Sequence, residues 1–290
     1  MFLLYGCFVR NIKQVIKEFS TKLPRNEIRI LLSYYLNISQ EKLLLSEDQE
    51  LSALQNKELR ELLQRRINFE PISYITGCRE FYGLAFYVDN SVMIPRPETE
   101  LIVDEVLKIC SNNLITKKEI NLLDLCTGSA CIAISSVINS ININALALDI
   151  SSGALGVAEK NAKYHDCSDR VSFHISNYFS YFDQENSTHK FDIITCNPPY
   201  IAAGDKLVSN ETRIYEPPLA LYADDDGFFP YYVLSNKAHY YLNAGGFLIV
   251  EVGIGMANKV EKIISSSKLV HLKTKNDLAS IPRCLVFQKT

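Results

Sequence analysis

At 290 residues the chain has room for one large or two ordinary domains and a core of good size. Its 47% hydrophobic and 22% charged residues are those of a soluble globular protein, and a net charge of −3 leaves no global field to recruit nucleic acid. Eight cysteines, none in a C-x-x-C pattern, and five histidines without ligand spacing exclude a disulfide framework and a metal site, and point to reduced thiols in a cytoplasmic protein.

The apolar opening Met1-Phe2-Leu3-Leu4-Tyr5-Gly6-Cys7-Phe8-Val9 lacks a basic lead-in and a small-residue cleavage site, so it does not read as a signal peptide. No run reaches the ~18 apolar residues of a membrane span. From Val9 to about Arg66 the pattern is helical: Val9, Ile12, Val15, Ile16 and Phe19 recur at three and four. Pro24 opens a second segment with Ile28, Leu31, Leu32, Tyr35 and Leu36 inward. Two more helices come next, around 42–45 and over 50–67, with Ser46 as a cap before Glu47 and Asp48. Arg60, Arg65 and Arg66 collect at a helix end, either as a solvated face complementing the helix dipole or as a docking face.

Residues 71–92 are rich in Tyr, Phe, Ile and Gly and read as two β segments around Gly77 and Gly83, a hairpin connecting the helical part to the remainder of the chain. Ile94-Pro95-Arg96-Pro97-Glu98-Thr99-Glu100 is then a stiff charged loop entering a helix over 101–110. It is either plain N-terminal capping by Glu98 and Glu100 or one wall of a pocket.

Beyond residue 112 strands and helices alternate. Strands fall at 121–125, 145–149, 171–175, 191–196, 247–252, 269–274 and 284–288, and the helices between them include 131–138, one capped by Ser151, 226–242 stopping at Gly245-Gly246, and 256–266. This rhythm predicts a parallel, doubly wound α/β sheet, which binds ligands beyond the carboxyl ends of its strands. Three features land there. Cys126-Thr127-Gly128-Ser129-Ala130 is a small-residue turn at a helix N-terminus, either a tight connection or a ligand cradle. Asp149 ends the second strand, as a helix cap or as the acceptor for ribose hydroxyls. Thr195-Cys196-Asn197-Pro198-Pro199-Tyr200 leaves the fourth strand as a rigid turn, because two prolines fix φ and donate no hydrogen bonds. Asn197 Oδ1 and the Pro198 carbonyl are two acceptors suited to a planar NH2 group, with Tyr200 beside them. A nicotinamide site wants G-x-G-x-x-G, and only Gly128 is glycine here, so S-adenosylmethionine explains the three features better.

The combination of Tyr74-Ile75-Thr76-Gly77, Glu80-Phe81-Tyr82-Gly83, Ile94 to Glu100, Asp124 to Ala130, Asn197-Pro198-Pro199-Tyr200 and Tyr215-Glu216-Pro217 resembles the HemK/PrmC methyltransferases over nearly the whole chain. That family methylates, from S-adenosylmethionine, the side-chain amide of the glutamine in the Gly-Gly-Gln loop of class 1 peptide-chain release factors. The resemblance implies a Rossmann-like, seven-stranded methyltransferase domain at 96–290, a β-hairpin linker at 71–95 and an all-α substrate-docking domain at 1–70. It places the cofactor on Cys126, Thr127, Gly128, Ser129, Ala130, Asp149, Tyr178 and Asn197. The glutamine falls on Asn197, Pro198, Pro199 and Tyr200, with Arg96, Glu98 and Thr99 near the pocket; Asn197, Pro198 and Tyr200 carry catalysis. A monomer is expected, with no direct nucleic-acid partner and no membrane.

Cys126 and Ala130 stand where the family usually has glycine, Asn177 where an acid is common, and Met256 where glutamine is expected. A Cβ at the first two positions opposes positive φ and crowds a ligand. Two other readings remain: an adenine-N6 nucleic-acid methyltransferase, which shares the Asn-Pro-Pro-Tyr turn, and a non-catalytic protein of the same fold.

Overall fold

The computed structural model describes residues 10–111, 119–183, 189–205, 208–265 and 268–290. Cys7, and Val9 at the head of the first helical pattern, lie outside them. The chain divides into two compact units, one holding the described residues up to Gly77 with Asn210–Tyr215, the other Cys78–Ser209 and Glu216–Thr290.

The first unit runs β1 (Arg10–Asn11), α1 (Ile12–Phe19), α2 (Arg25–Leu36), α3 (Gln40–Leu45), β2 (Glu50–Leu51), α4 (Ala53–Ile67) and α5 (Ile72–Thr76). Ile12, Val15, Ile28, Leu31, Leu32, Leu59 and Leu63 meet in its core, as the three-and-four spacing requires. Capping boxes start α1 (Asn11 with Gln14) and α4 (Ser52 with Gln55). Ser46 is thus not the cap expected; it closes α3, because Glu50–Leu51 is extended and pairs antiparallel with β1 before α4 begins. The Arg60, Arg65 and Arg66 group is not a free basic face. Arg60 grips Glu18 at 2.8 and 2.7 Å, Arg65 grips Glu70, and Arg66 bridges Glu27 and Glu211, all within this unit. Tyr74, Ile75 and Thr76 are helical rather than β, since Pro71 opens one turn that Gly77 ends at φ 66°.

The second unit opens on a hairpin, β3 (Cys78–Phe81) and β4 (Leu84–Tyr87), turning at Tyr82-Gly83 with both residues at positive φ. Then come α6 (Glu100–Ser111), β5 (Ile120–Leu125), α7 (Cys131–Asn139), β6 (Ile143–Asp149), α8 (Ser152–Tyr164), β7 (Val171–Ile175), α9 (Ser180–Asp183) and β8 (Phe191–Cys196). After α10 (Asn210–Tyr215, counted with the first unit) come α11 (Pro218–Leu221), α12 (Phe229–Tyr241), β9 (Leu242–Glu251), α13 (Ala257–Ile264), β10 (Leu269–Asn276) and β11 (Pro282–Lys289).

The seven strands order β10-β11-β9-β8-β5-β6-β7. Leu122, Ile193 and Phe247 pack one face, and their neighbours Leu123, Ile194 and Leu248 the other, so both faces are buried and the strands read as near-continuous apolar runs. The sheet is not wholly parallel. β11 runs antiparallel to β9 and β10, because the short link from Asn276 to Pro282 permits only a hairpin. Gly245-Gly246 does not stop a helix either: α12 ends at Tyr241, and both glycines lie inside β9. A Cβ on Gly246 would sit 3.0 Å from the carbonyls of Asn243 and Asp192, where the β8–β9 register shifts. The 226–242 helix begins late as well, at Phe229, after a 3-10 turn Asp225–Gly227. Chain order reverses between β5 and β8, the position at which such sheets bind ligands.

Candidate active site

β5 delivers Asp124 into the sheet beside Thr195 of β8, its register partner. Thr195 Oγ1 donates to Asp124 Oδ1 at 2.7 Å and Thr127 Oγ1 to Oδ2 at 2.5 Å, tying the loop after β5 to the strand before Asn197. Burial pushes the Asp124 carboxyl up to about 6 despite these hydroxyls. The loop then coils through three left-handed residues, Cys126 (φ 56°), Gly128 (φ 56°) and Ala130 (φ 61°). Only the glycine adopts this freely; a side chain costs roughly 1–2 kcal/mol at each of the others. Asp149, ending β6, holds the coil in place. Its Oδ2 accepts from Gly128 N at 2.9 Å and its Oδ1 from Ser151 N at 2.9 Å, so one carboxylate joins the loop to the start of α8. Burial raises its pKa, with the backbone N–H groups opposing.

Asn197 follows β8. Its Nδ2 donates to Thr99 Oγ1 at 3.1 Å, and Thr99 Oγ1 donates to Glu251 Oε2 at 2.6 Å. Tyr200 Oη donates to the other oxygen, Glu251 Oε1, at 3.2 Å. Two residues of the turn are thereby referred to one buried carboxylate at the end of β9. Burial pushes Glu251 up to about 7, while the Thr99 and Tyr200 hydroxyls pull the other way. Tyr200 is boxed in by two glycines. A Cβ on Gly227 (φ 86°) would lie 2.2 Å from the Tyr200 carbonyl, and one on Gly253 3.0 Å from its ring. The Pro198 carbonyl meets no donor among the described residues.

A cavity of about 350 Å3 opens between these two constructions, within the second unit. Cys126, Thr127, Gly128, Ser129 and Asp149 line one side, Thr99, Asn197 and Pro199 another, and Tyr178 with Phe229 a third. Tyr178 (φ 50°) packs edge-on to Phe229, and burial pushes its phenol up. The remaining residues predicted for the site do not line the cavity. Ala130 is buried beneath the loop as the N-cap of α7, and Pro198 is buried in the turn. Tyr200 is instead tied to Glu251 by its hydroxyl. Arg96 binds buried Glu216 at 2.5 Å, and Glu216 also accepts from Ile94 N at 3.1 Å, so Arg96 braces the proline-stiffened loop. Glu98 lies on the 3-10 turn Pro97–Thr99, half-buried, and Glu100 accepts from Tyr82 N at 2.8 Å, pinning the hairpin instead of capping its own helix.

Residues 9–77 match the PrmC N-terminal domain, and residues 116–281 match a methyltransferase domain. The chain is 36% identical over 264 residues to a release factor glutamine methyltransferase of Neisseria gonorrhoeae (strain ATCC 700825 / FA 1090), covering 91% of this chain and 93% of that one. The chain belongs to the release factor glutamine methyltransferase family. A bifunctional methyltransferase of Rickettsia prowazekii (strain Madrid E) is 38% identical over 275 residues. The chain spans about half the length of that protein, 52%. Among solved structures, a methyltransferase from Pyrococcus furiosus shares the fold, with a TM-score of 0.52 at 15% identity over 81% of this chain and 98% of that one.

In this member of the release factor glutamine methyltransferase family, sequence reasoning passes over Glu251, Glu216 and Asn161. Glu251 has a signal: a carboxylate closing the apolar run Phe247-Leu248-Ile249-Val250 is costly unless it has partners. Glu216 stands inside the Tyr215-Glu216-Pro217 motif without a role. Asn161 is buried mid-helix, accepts from Tyr87 N at 2.7 Å and donates to the carbonyls of Tyr87 and Ser129, joining β4 to the loop after β5. Nothing in its local sequence marks it.

Proposed function

We propose that the chain transfers a methyl group from S-adenosylmethionine to the side-chain amide nitrogen of the glutamine in the Gly-Gly-Gln loop of class 1 release factors, leaving S-adenosylhomocysteine. The observation that carries this reading is the Asn197 amide, whose Nδ2 is committed to Thr99, leaving Oδ1 as the acceptor at a cavity wall. The cavity's donor set fits the methyl donor. Asp149 offers a fixed carboxylate for a ribose diol, Tyr178 and Ile150 offer faces for an adenine, and the space over Gly128 is open, since a Cβ there would meet nothing within 4 Å. When bound, S-adenosylmethionine supplies an electrophilic methyl group on its sulfonium.

The chain's own part is orientation. An amide nitrogen is a weak nucleophile, and no proton need leave before attack. Asn197 Oδ1 at the cavity wall takes one N–H group of the glutamine, and the Pro198 carbonyl, outside the cavity lining but without a donor among the described residues, takes the other, which turns the remaining lone-pair density toward the methyl group. Tyr200 and Thr99 keep the turn rigid through Glu251. Attack first gives a cationic, N-protonated N-methyl amide, which is strongly acidic and gives one N–H proton to water to leave the neutral N-methyl amide, so no general base is assigned. The helical unit is the docking element for the protein substrate. A release-factor substrate belongs to the cytoplasm, and no helix of the described residues is long and apolar enough to cross a membrane.

Labelled S-adenosylmethionine with a release factor tests the reading. Label is expected on the release factor and lost when its Gly-Gly-Gln glutamine is replaced. Asn197→Ala should lower turnover by roughly 100-fold or more, with cofactor affinity within about threefold. Label on DNA instead of the release factor, or undiminished turnover in the variant, overturns it.

A further inference from the structure

We propose that Glu251 is a positioning residue whose carboxylate decides which end of the Asn197 side-chain amide is presented to the substrate. The inference rests on the proposed methylation of a release-factor glutamine and adds to it the device that sets the polarity of the acceptor turn.

A hydroxyl has a single hydrogen to donate. Thr99 Oγ1 lies 2.6 Å from Glu251 Oε2 and 3.1 Å from Asn197 Nδ2. An ionised Glu251 is acceptor-only, so the Thr99 hydrogen points to it and a Thr99 lone pair faces Asn197. Only the NH2 end of the Asn197 amide satisfies that lone pair. Oδ1 is then left to receive an N–H of the substrate amide. A proton on Glu251 Oε2 reverses the chain: Glu251 donates to Thr99, Thr99 donates to Asn197, and the amide turns its NH2 toward the substrate's own NH2. Donor then meets donor, and the glutamine is no longer held. Tyr200 Oη on Oε1 at 3.2 Å ties the far end of the same turn to the same carboxylate.

The groups facing Glu251 come from several elements. Arg283 of β11 favours its ionised form, while Glu98 of the 3-10 turn opposes it. Tyr231 of α12 donates to the Glu251 main-chain carbonyl at 2.9 Å, and the thiols of Cys131 and Cys284 stand nearby with their own pKa values raised by burial. Burial leaves Glu251 at about 7, so both polarities fall within the ordinary working range of pH.

The test reads the Asn197 side-chain NH2 resonance by NMR in the full chain, identified by its loss in Asn197→Asp, alongside methylation of a release factor. In the parent chain the resonance should move between pH 6 and 8, about the Glu251 midpoint. It should not move in Glu251→Gln or Thr99→Val, and Thr99→Ser should restore the movement. At pH 8, kcat should fall about 10–100-fold in Glu251→Gln and Thr99→Val and recover in Thr99→Ser, with cofactor Kd within about twofold throughout. A resonance that ignores pH in the parent chain, or that titrates alike in Glu251→Gln, overturns the inference whatever the activity. A parent chain that does not methylate the release factor overturns the functional reading, and the resonance still decides whether Glu251 governs the amide.

Discussion

Ala130 and Cys126 hold a backbone conformation that the sequence alone argues against. Both carry a Cβ at φ near 60°. The fold imposes that geometry because Thr127 N must reach the Leu148 carbonyl at 3.1 Å and Gly128 N the Asp149 carboxylate. The strain predicts a contrast between the cap and the interior of α7. Ala130 and Ala133 are both fully buried, but only Ala130, just before α7, is left-handed. Each loses a methyl on mutation to glycine, while Ala130→Gly also relieves the left-handed penalty. Ala133→Gly also carries a helix-interior penalty of about 1 kcal/mol, so Ala130→Gly should cost about 2–3 kcal/mol less than Ala133→Gly in urea denaturation. A difference of about 1 kcal/mol or less would show that the loop bears no strain.

At the scale of elements, the site is a meeting of loops held by side chains from elsewhere. α8 supplies Asn161, which satisfies the edge of β4 and the Ser129 carbonyl together. Its sequence surroundings suggest an ordinary helical position, and an asparagine mid-helix usually faces water. Asn161→Ala removes the partner of the half-buried Tyr87 N–H and carbonyl and of the buried Ser129 carbonyl. We expect a loss of about 2–4 kcal/mol, with amide exchange at Tyr87 accelerating more than exchange within β5. The Asn-Pro-Pro-Tyr turn was legible because proline restricts the chain locally. The Gly227 approach to Tyr200 was not, since a close contact between residues 27 apart in sequence leaves no periodic trace.

For the molecule as a whole, the parallel core of the sheet concentrates two buried carboxylates at the carboxyl ends of its strands, Asp124 on β5 and Glu251 on β9. Both carry pKa values raised above their ordinary ones, to about 6 and about 7, with burial as the leading cause. The folded state therefore binds more protons than the unfolded chain across this range. The stability each contributes is fully present below its ordinary pKa and is lost as pH rises through the raised value. For Glu251, the interval from 4.5 to about 7 corresponds to about 3 kcal/mol. Glu251→Gln removes this term. The stability of the variant relative to the parent chain should rise by about that amount between pH 4.5 and 7.5, measured by urea denaturation at each pH. A pH-independent difference would mean that Glu251 is not buried as a proton-binding group.

By itself the sequence determined the helical first unit, the alternation of strands and helices, the small-residue loop, the carboxylate closing β6 and the rigid turn after β8. All of these are written in short-range patterns: three-and-four spacing, apolar runs, prolines and turn residues. Tertiary structure alone decided the antiparallel course of β11, the grouping of Asn210–Tyr215 with the first unit, and the pairing of Arg96 with Glu216. It also decided the network behind the turn, in which Thr99 and Glu251 stand 152 positions apart and Thr99 and Asn197 98 apart. A hydrogen bond depends on distance in space. The sheet order that places β9 beside β8, and the packing that brings Thr99 to Asn197, exist only once the chain has folded.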